Sequence, residues 1–247
     1  MRWLDPIRAA LDASPYPCPV FFRDDDAGWA DQRLFALLDV FDRYGVAVDV
    51  AAIPTELRPG LTAALTDRLV GSPLRVHQHG YAHANHESTE RKHEFGPSRQ
   101  VSAKAADIAA GRVLMREAFG ELCDPIFTPP WNRCTPDIAD ALIAQGFGVL
   151  SRDSSAPPVQ RPGLAEVPVT VDWFGHRKGA RWTPDELAAR IAAAVDAAEP
   201  LGLMLHHAVT DQAELATVEE VVALLARHPH VRATSIMELA MAPEPAR

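Results

Sequence analysis

Short apolar runs alternate along the chain with longer segments whose apolar positions recur at helical spacing, the pattern of repeated strand–helix units. Residues 20–23 read as a strand running into Asp24-Asp25-Asp26. Residues 34–44 read as a helix that Gly45 stops, and residues 46–53 as a strand closed by Pro54. A helix over 62–70 precedes a strand over 74–77, which delivers a histidine-rich segment. After a polar stretch at 85–99 come a helix over 102–119 and a strand over 125–128 opening into Pro129-Pro130-Trp131-Asn132. A helix over 136–145 is capped by Gly146 and followed by a strand over 148–151. Residues 154–168, rich in Pro and Ser, read as a loop, and 169–173 as extended chain. Thr183 and Glu186 form a capping box with Pro184 at the first helical position, opening a helix to about Ala198. An apolar strand over 201–206 ends in two histidines. A helix over 218–227, a strand over 231–233 and a short terminal helix complete the pattern.

No internal repeat or linker divides the sequence, so one α/β domain over residues 1–247, folded as a barrel, is the simplest expectation. Candidate chemistry recurs just after strands, at Asp25, His79, Trp131 and His206. In a parallel α/β barrel that is the face on which active sites are built.

Apolar residues make up 47% and charged residues 23% of the chain, as in ordinary globular proteins. With 24 basic against 33 acidic residues the net charge is −9, which argues against nucleic-acid and anionic-membrane partners. Cys18, Cys123 and Cys134 are odd in number and form no CxxC pair, which suits a reducing compartment. Cys134 follows the Pro-Pro-Trp-Asn-Arg turn, but no catalytic partner for it can be assigned. Residues 1–17 carry Asp5, Arg8 and Asp12 and read as a short amphipathic helix ended by Pro15 and Pro17, not as a signal peptide. No apolar run approaches the ~20 residues needed to cross a bilayer. A cytoplasmic location is expected.

Three consecutive carboxylates at a strand end repel one another, and a bound cation removes the conflict. The plain alternative is a solvated Asp-rich turn ahead of a helix. The segment His77-Gln78-His79-Gly80-Tyr81-Ala82-His83-Ala84-Asn85-His86 changes the balance. His79 and His83 have i,i+4 spacing, which on one helical turn aims both rings to one side. His77 and His86 read as core-edge or surface rings. One carboxylate and two imidazoles leave a divalent metal an open coordination position, the mark of a catalytic site. Zinc is the default ion, and cobalt, nickel or ferrous iron also suits the ligands. A neighbouring aspartate can serve as general base.

The order of these motifs resembles that of the polysaccharide deacetylases (the NodB-homology group, carbohydrate esterase family four) from about Val20 to His207. The resemblance implies a distorted (β/α) barrel with an Asp-His-His metal site that hydrolyses an N-acyl group. It implies Asp25 as general base, Asp26, His79 and His83 as metal ligands, and the Trp131 backbone N–H as an oxyanion donor. Asp24 as base with Asp25 as ligand is the alternative register. The family's third motif normally begins with an arginine where this chain has Thr128; Arg23, Arg99 or Arg133 are candidates to replace it. Asp172 and Trp173 resemble the fourth motif, in which the aspartate orients that arginine and the tryptophan lines the pocket. His206 matches the general acid, with His207 as its rival, because successive strand residues face opposite sides. Asn132, and a rim contributing Glu94 or Arg99, are further substrate-binding candidates. The implied substrate is an N-acetylated or N-formylated amino sugar or sugar-containing small molecule, with an oligosaccharide as the larger form. A cyclic amide or imide, or non-catalytic metal or carbohydrate binding, are the competing readings.

Overall fold

The computed structural model describes residues 2–88, 91–175, 181–197 and 199–242. The chain runs α1 (Asp5–Ala13), β1 (Cys18–Ala27), α2 (Asp31–Tyr44), β2 (Val48–Ala52), α3 (Pro59–Gly71), β3 (Leu74–His79), α4 (Val101–Phe119) and β4 (Cys123–Thr128). It continues with α5 (Ala139–Ala144), β5 (Val149–Leu150), β6 (Ala165–Glu166), β7 (Val171–Asp172), α6 (Pro184–Asp196), β8 (Leu201–Leu205), α7 (Gln212–Arg227), β9 (Val231–Ala233) and α8 (Ile236–Met241). Local sequence explains these elements. In α2, Leu34, Leu37, Leu38 and Phe41 bury one face, and Gly45 ends the helix at φ 63°. The Thr183–Glu186 capping box opens α6; α6 ends at Asp196, and the expected end at Ala198 falls outside the described residues. A second capping box, Asp211 with Glu214, starts α7 at Gln212, earlier than the expected 218.

All described strands pair in parallel, in the order β6-β5-β4-β3-β2-β1-β8-β7, with β9 against the start of β1. The segment expected as a loop over 154–168 holds β6, and its continuation bends the sheet into a ring. On one side, Val167 N–H donates to Leu150 (3.1 Å) and Val169 N–H to Arg152 (2.8 Å). On the other, Thr170 N–H donates to Gly202 (2.8 Å) and Trp173 N–H to Met204 (3.0 Å). One short segment thus bridges β5 and β8, the arrangement of a distorted (β/α) barrel. Gly202 is required at this closure, because a Cβ there would sit 2.4 Å from Phe21 Cζ and 2.9 Å from Val169 Cα.

Side-chain alternation sorts the strands into an inner and an outer face. Phe21, Ile126, Val149, Val167, Val169 and Met204 pack together inside, with Ile236 of α8 against them. Val20, Phe22, Leu203 and Leu205 face outward into the helical layer. Above the apolar floor on the inner face stand Arg23, His77 and Ser151, all buried. No helix among the described residues is long and apolar enough to cross a membrane.

Candidate active site

The inner face of β1 carries Phe21, Arg23 and Asp25, so Asp26 ought to point outward. It does not, because the register between β1 and β2 shifts between Asp24 and Ala27 and Asp26 adopts φ 73°. This bulge turns two consecutive carboxylates toward one site. Asp26 Oδ1 lies 3.2 Å from His79 Nε2 and 3.1 Å from His83 Nε2. His79 ends β3, whereas His83 sits at φ 51° in the following turn. The i,i+4 pair therefore converges through a strand end and a tight turn, and the helical turn expected from its spacing does not form.

Glu94 builds that turn. Its buried carboxylate accepts the N–H groups of Tyr81 (3.1 Å), Ala82 (2.7 Å) and Ala84 (3.4 Å). Gly80 at φ 56° leaves room for it; a Cβ there would lie 2.2 Å from Glu94 Oε2. Arg99 ties to Asp107 at 2.7 Å and to the Glu94 carbonyl at 3.3 Å. Both residues, expected on a substrate rim, instead hold the histidine loop, because backbone donors in a buried turn must be satisfied.

The donor set fits a divalent transition ion. Asp26, His79 and His83 each offer one ligand atom within 4.8 Å of one another. Two atoms bonded to one ion at about 2.1 Å stand about 2.9–3.4 Å apart in tetrahedral or octahedral geometry, a range that includes both Asp26–imidazole distances. His79 Nδ1 donates to the Thr128 carbonyl at 3.0 Å, which presents Nε2 as the ligand atom. His83 is clamped between the rings of Trp29 (4.7 Å) and Trp131 (4.4 Å). Burial opposes charge on Asp26, but hydrogen bonds from His79 and His83 and the charges of His79 and His206 outweigh it and hold the carboxyl well below the usual range.

Asp25 is gripped by a fork. Arg23 Nε and Nη2 reach its two oxygens at 2.8 and 2.9 Å. Arg23 also donates to Ser151 Oγ at 2.9 Å and Asn132 Oδ1 at 2.6 Å. Of the three arginine candidates, Arg23 is the one that bonds Asp25. Burial would raise the Asp25 pKa, and the charges of Arg23, His79 and His206 with the Arg23 hydrogen bonds bring it below its ordinary value. Thr128, where the family motif has its arginine, bonds His77 Nε2 at 2.8 Å. Burial pushes His77 down to about 3, so it is a neutral ring in the barrel interior.

Parity separates the two late histidines. His206 shares the inner face with Met204 and lies 4.0 Å from Asp25 Oδ2 through Nε2. His207 faces outward, where Asp24 meets it: Oδ1 accepts its N–H at 2.9 Å and Oδ2 its Nδ1 at 2.6 Å, while Nε2 donates to the Trp29 carbonyl at 2.7 Å. Burial opposes charge on His207, but Asp24 outweighs it and pushes the ring up to about 9. Asp24 and His207 thus form a buried pair outside the site, and the pair fixes Trp29 against His83.

Trp131 and Asn132 adopt φ 57° and 59°, and among the described residues no backbone carbonyl accepts the Trp131 N–H. Asn132 is committed to Arg23 and Met204 Sδ. Asp172 lines a cavity of about 310 Å³ with Trp131, Asn132, Arg133, Phe174 and His206, and accepts the Phe174 N–H at 3.0 Å. Trp173, expected in that pocket, is buried among the helices instead. Its parity explains this, since only one of two adjacent β7-side residues can face inward. Sequence reading missed Ser151 and Trp29; a lone serine and a turn tryptophan carry no pattern that marks them.

No protein-family model matches the chain, and no curated protein does. Solved structures do share the fold. A polysaccharide deacetylase structure from Mycobacterium smegmatis superposes with TM-score 0.72 at 16% identity over 92% of this chain and 90% of its own. Puue allantoinase gives 0.64 at 13% identity, covering 92% of each chain. A family-four (CE4) pseudoenzyme from Bacillus anthracis gives 0.59 at 13% identity over 91% of this chain and 69% of its own. The fold is that of the polysaccharide deacetylases and family-four carbohydrate esterases. Because that fold is carried by enzymes and a pseudoenzyme alike, chemistry must be argued from the site.

Proposed function

We propose that the protein is a metal-dependent hydrolase that removes an N-acetyl or N-formyl group from an amino sugar or other sugar-containing small molecule. The observation that carries this reading is the juxtaposition of Asp25, ionised in the Arg23 fork, with the Asp26–His79–His83 donor set and with His206 4.0 Å away. Asp26, His79 and His83 would hold the ion, which when bound supplies Lewis acidity and lowers the pKa of water toward ~7. Asp25 accepts the proton as water attacks the acyl carbon. The Trp131 N–H donates to the developing oxyanion, a role for which the left-handed turn leaves it available. His206 gives its proton to the departing amine, which an amide requires far more than an ester does. The cavity of about 310 Å³ beyond His206 suits a single sugar-sized group.

Hydrolysis of a cyclic amide is the second reading, favoured by the allantoinase likeness over 92% of each chain. The test is hydrolysis of N-acyl sugars and cyclic imides by protein purified without chelators, beside Asp25→Asn and the double variant His79→Ala/His83→Ala. Asp25→Asn should keep about one metal per chain and lose at least ~100-fold in rate, and the double variant should lose both. Wild-type protein that binds metal and carbohydrate but turns over neither class would identify a binding protein instead.

A further inference from the structure

Two cavities meet at the turn Trp131–Arg133. One is the cavity beside His206; the other, about 560 Å³, runs from the same turn past Arg91, His93, Arg152 and Asp153. Three guanidinium groups and an imidazole thus line one cavity of a chain whose net charge is −9.

These charges are not equivalent. Arg152 is matched by Glu166 at 2.6 Å and by the Pro157 carbonyl at 2.9 Å. Asp153 turns an oxygen to Ser155, accepting its N–H at 2.8 Å and its hydroxyl at 2.5 Å. Arg133 is half-buried, donates to the Lys92 carbonyl at 3.4 Å, and has no carboxylate within ion-pair distance among the described residues. Burial and the like charge of Arg91 lower its pKa, and burial with the charges of Arg133 and Arg91 lowers that of His93. Lys92 Nζ adds a further cation 5.8 Å over the Trp131 ring. Like charges gathered around a cavity repel one another, and an anion placed among them relieves the repulsion.

We propose that this second cavity is an anion subsite, in which Arg133, supported by Arg91, binds a phosphate or carboxylate group carried by the substrate. Its link to the acyl group rests on the hydrolase reading: Arg133 lines both cavities, so a molecule whose N-acyl end reaches Asp25 and His206 passes its charged end beside the guanidinium. The planar fork of arginine suits either oxyanion, and phosphate and carboxylate differ here in source rather than in the recognition they require.

The test is calorimetric titration of full-length Asp25→Asn protein, metal-loaded as purified so that turnover is suppressed. The probes are N-acetylglucosamine, N-acetylglucosamine 6-phosphate and N-acetylmuramic acid, with inorganic phosphate alone as a fourth. At least one charged sugar should bind ~10-fold or more tightly than the neutral one, as expected for charge-assisted hydrogen bonds. That advantage should shrink as salt rises from roughly 0.05 to 0.5 M. Adding Arg133→Met should remove most of it, and Arg133→Lys, checked for folding by circular dichroism, should retain a part. The phosphorylated and carboxylated sugars then report which source is preferred. Equal affinity for charged and neutral sugars overturns the subsite, as does failure of every probe including phosphate, or an advantage that survives Arg133→Met. Hydrolysis by wild-type protein is read separately: absent turnover with the charge preference intact overturns the hydrolase and leaves the subsite standing.

Discussion

Arg23 decides the chemistry at the scale of a single residue. Its guanidinium neutralises Asp25 in a fully buried setting, so removing it leaves a carboxylate without its partner. Arg23→Met should destabilise the protein by ~3–5 kcal/mol, read as a drop in urea midpoint, and should abolish hydrolysis. Arg23→Lys keeps the charge but not the fork and should recover stability more than activity; wild-type rates in that variant would show that bidentate holding is unnecessary. The sequence marks Asp26, His79 and His83 by type and spacing, and the structure brings their ligand atoms within 4.8 Å of one another. The sequence left Arg23 one of three candidates, since which arginine reaches a site depends on strand parity and on a partner far along the chain. The register of the aspartates depended on a bulge, which has no signature in residue type. Asp24 and His207 follow from the same parity: the pair lies outside the site and props Trp29 against His83.

At the scale of elements, the histidine turn is held by a buried acid that touches no candidate ligand side chain. Glu94→Ala would leave the N–H groups of Tyr81, Ala82 and Ala84 without their acceptor, a loss of about 1.5–3 kcal/mol per charged hydrogen bond at most. Because the turn positions His83, metal affinity should fall by ~10–100-fold, as when outer partners of ligands are removed. Comparing the thermal shift on adding zinc to wild type and Glu94→Ala checks this, and an undiminished shift would refute it. The spacing of the polar stretch told nothing of this role, since a glutamate in a loop is most often exposed. Strand β6 was hidden for a related reason: two residues among prolines and serines have no periodicity. The other long helices and the central strands, by contrast, were legible to within about four residues, whereas α7 begins six residues ahead of its expected start.

Across the whole molecule, buried titratable groups set how stability follows pH. Burial is the main cause that raises Asp49, beneath the barrel, to about 7, although it accepts the Ile236 N–H at 3.0 Å. A carboxyl whose folded pKa is raised contributes stability that is fully present below the unfolded value of about 3.9 and is lost as pH rises through about 7. His207, raised to about 9, contributes stability that is fully present below about 6.5 and is lost through about 9. Urea midpoints of wild type and Asp49→Asn should therefore converge or cross between pH ~4 and ~7, with the wild type losing ground. Parallel curves across that window would mean that Asp49 titrates in the folded chain as it does in the unfolded one.

The segment joining β5 to β8 has a consequence of another kind. It is a stave hung between two neighbours by a handful of backbone bonds, and the candidate site touches it through Ser151, whose hydroxyl donates to the Val167 carbonyl at 2.8 Å, and through Asp172. Insertions and substitutions ahead of β6, over residues 154–164, should therefore leave the candidate ligands, base and acid in place, whereas a change at Val167 would reach Arg23 through Ser151. Under the proposed hydrolase reading, descendants of one ancestral barrel could part company in what they admit without revising how they cut. Differences among relatives in diet, rather than in chemistry, should be written in that stave.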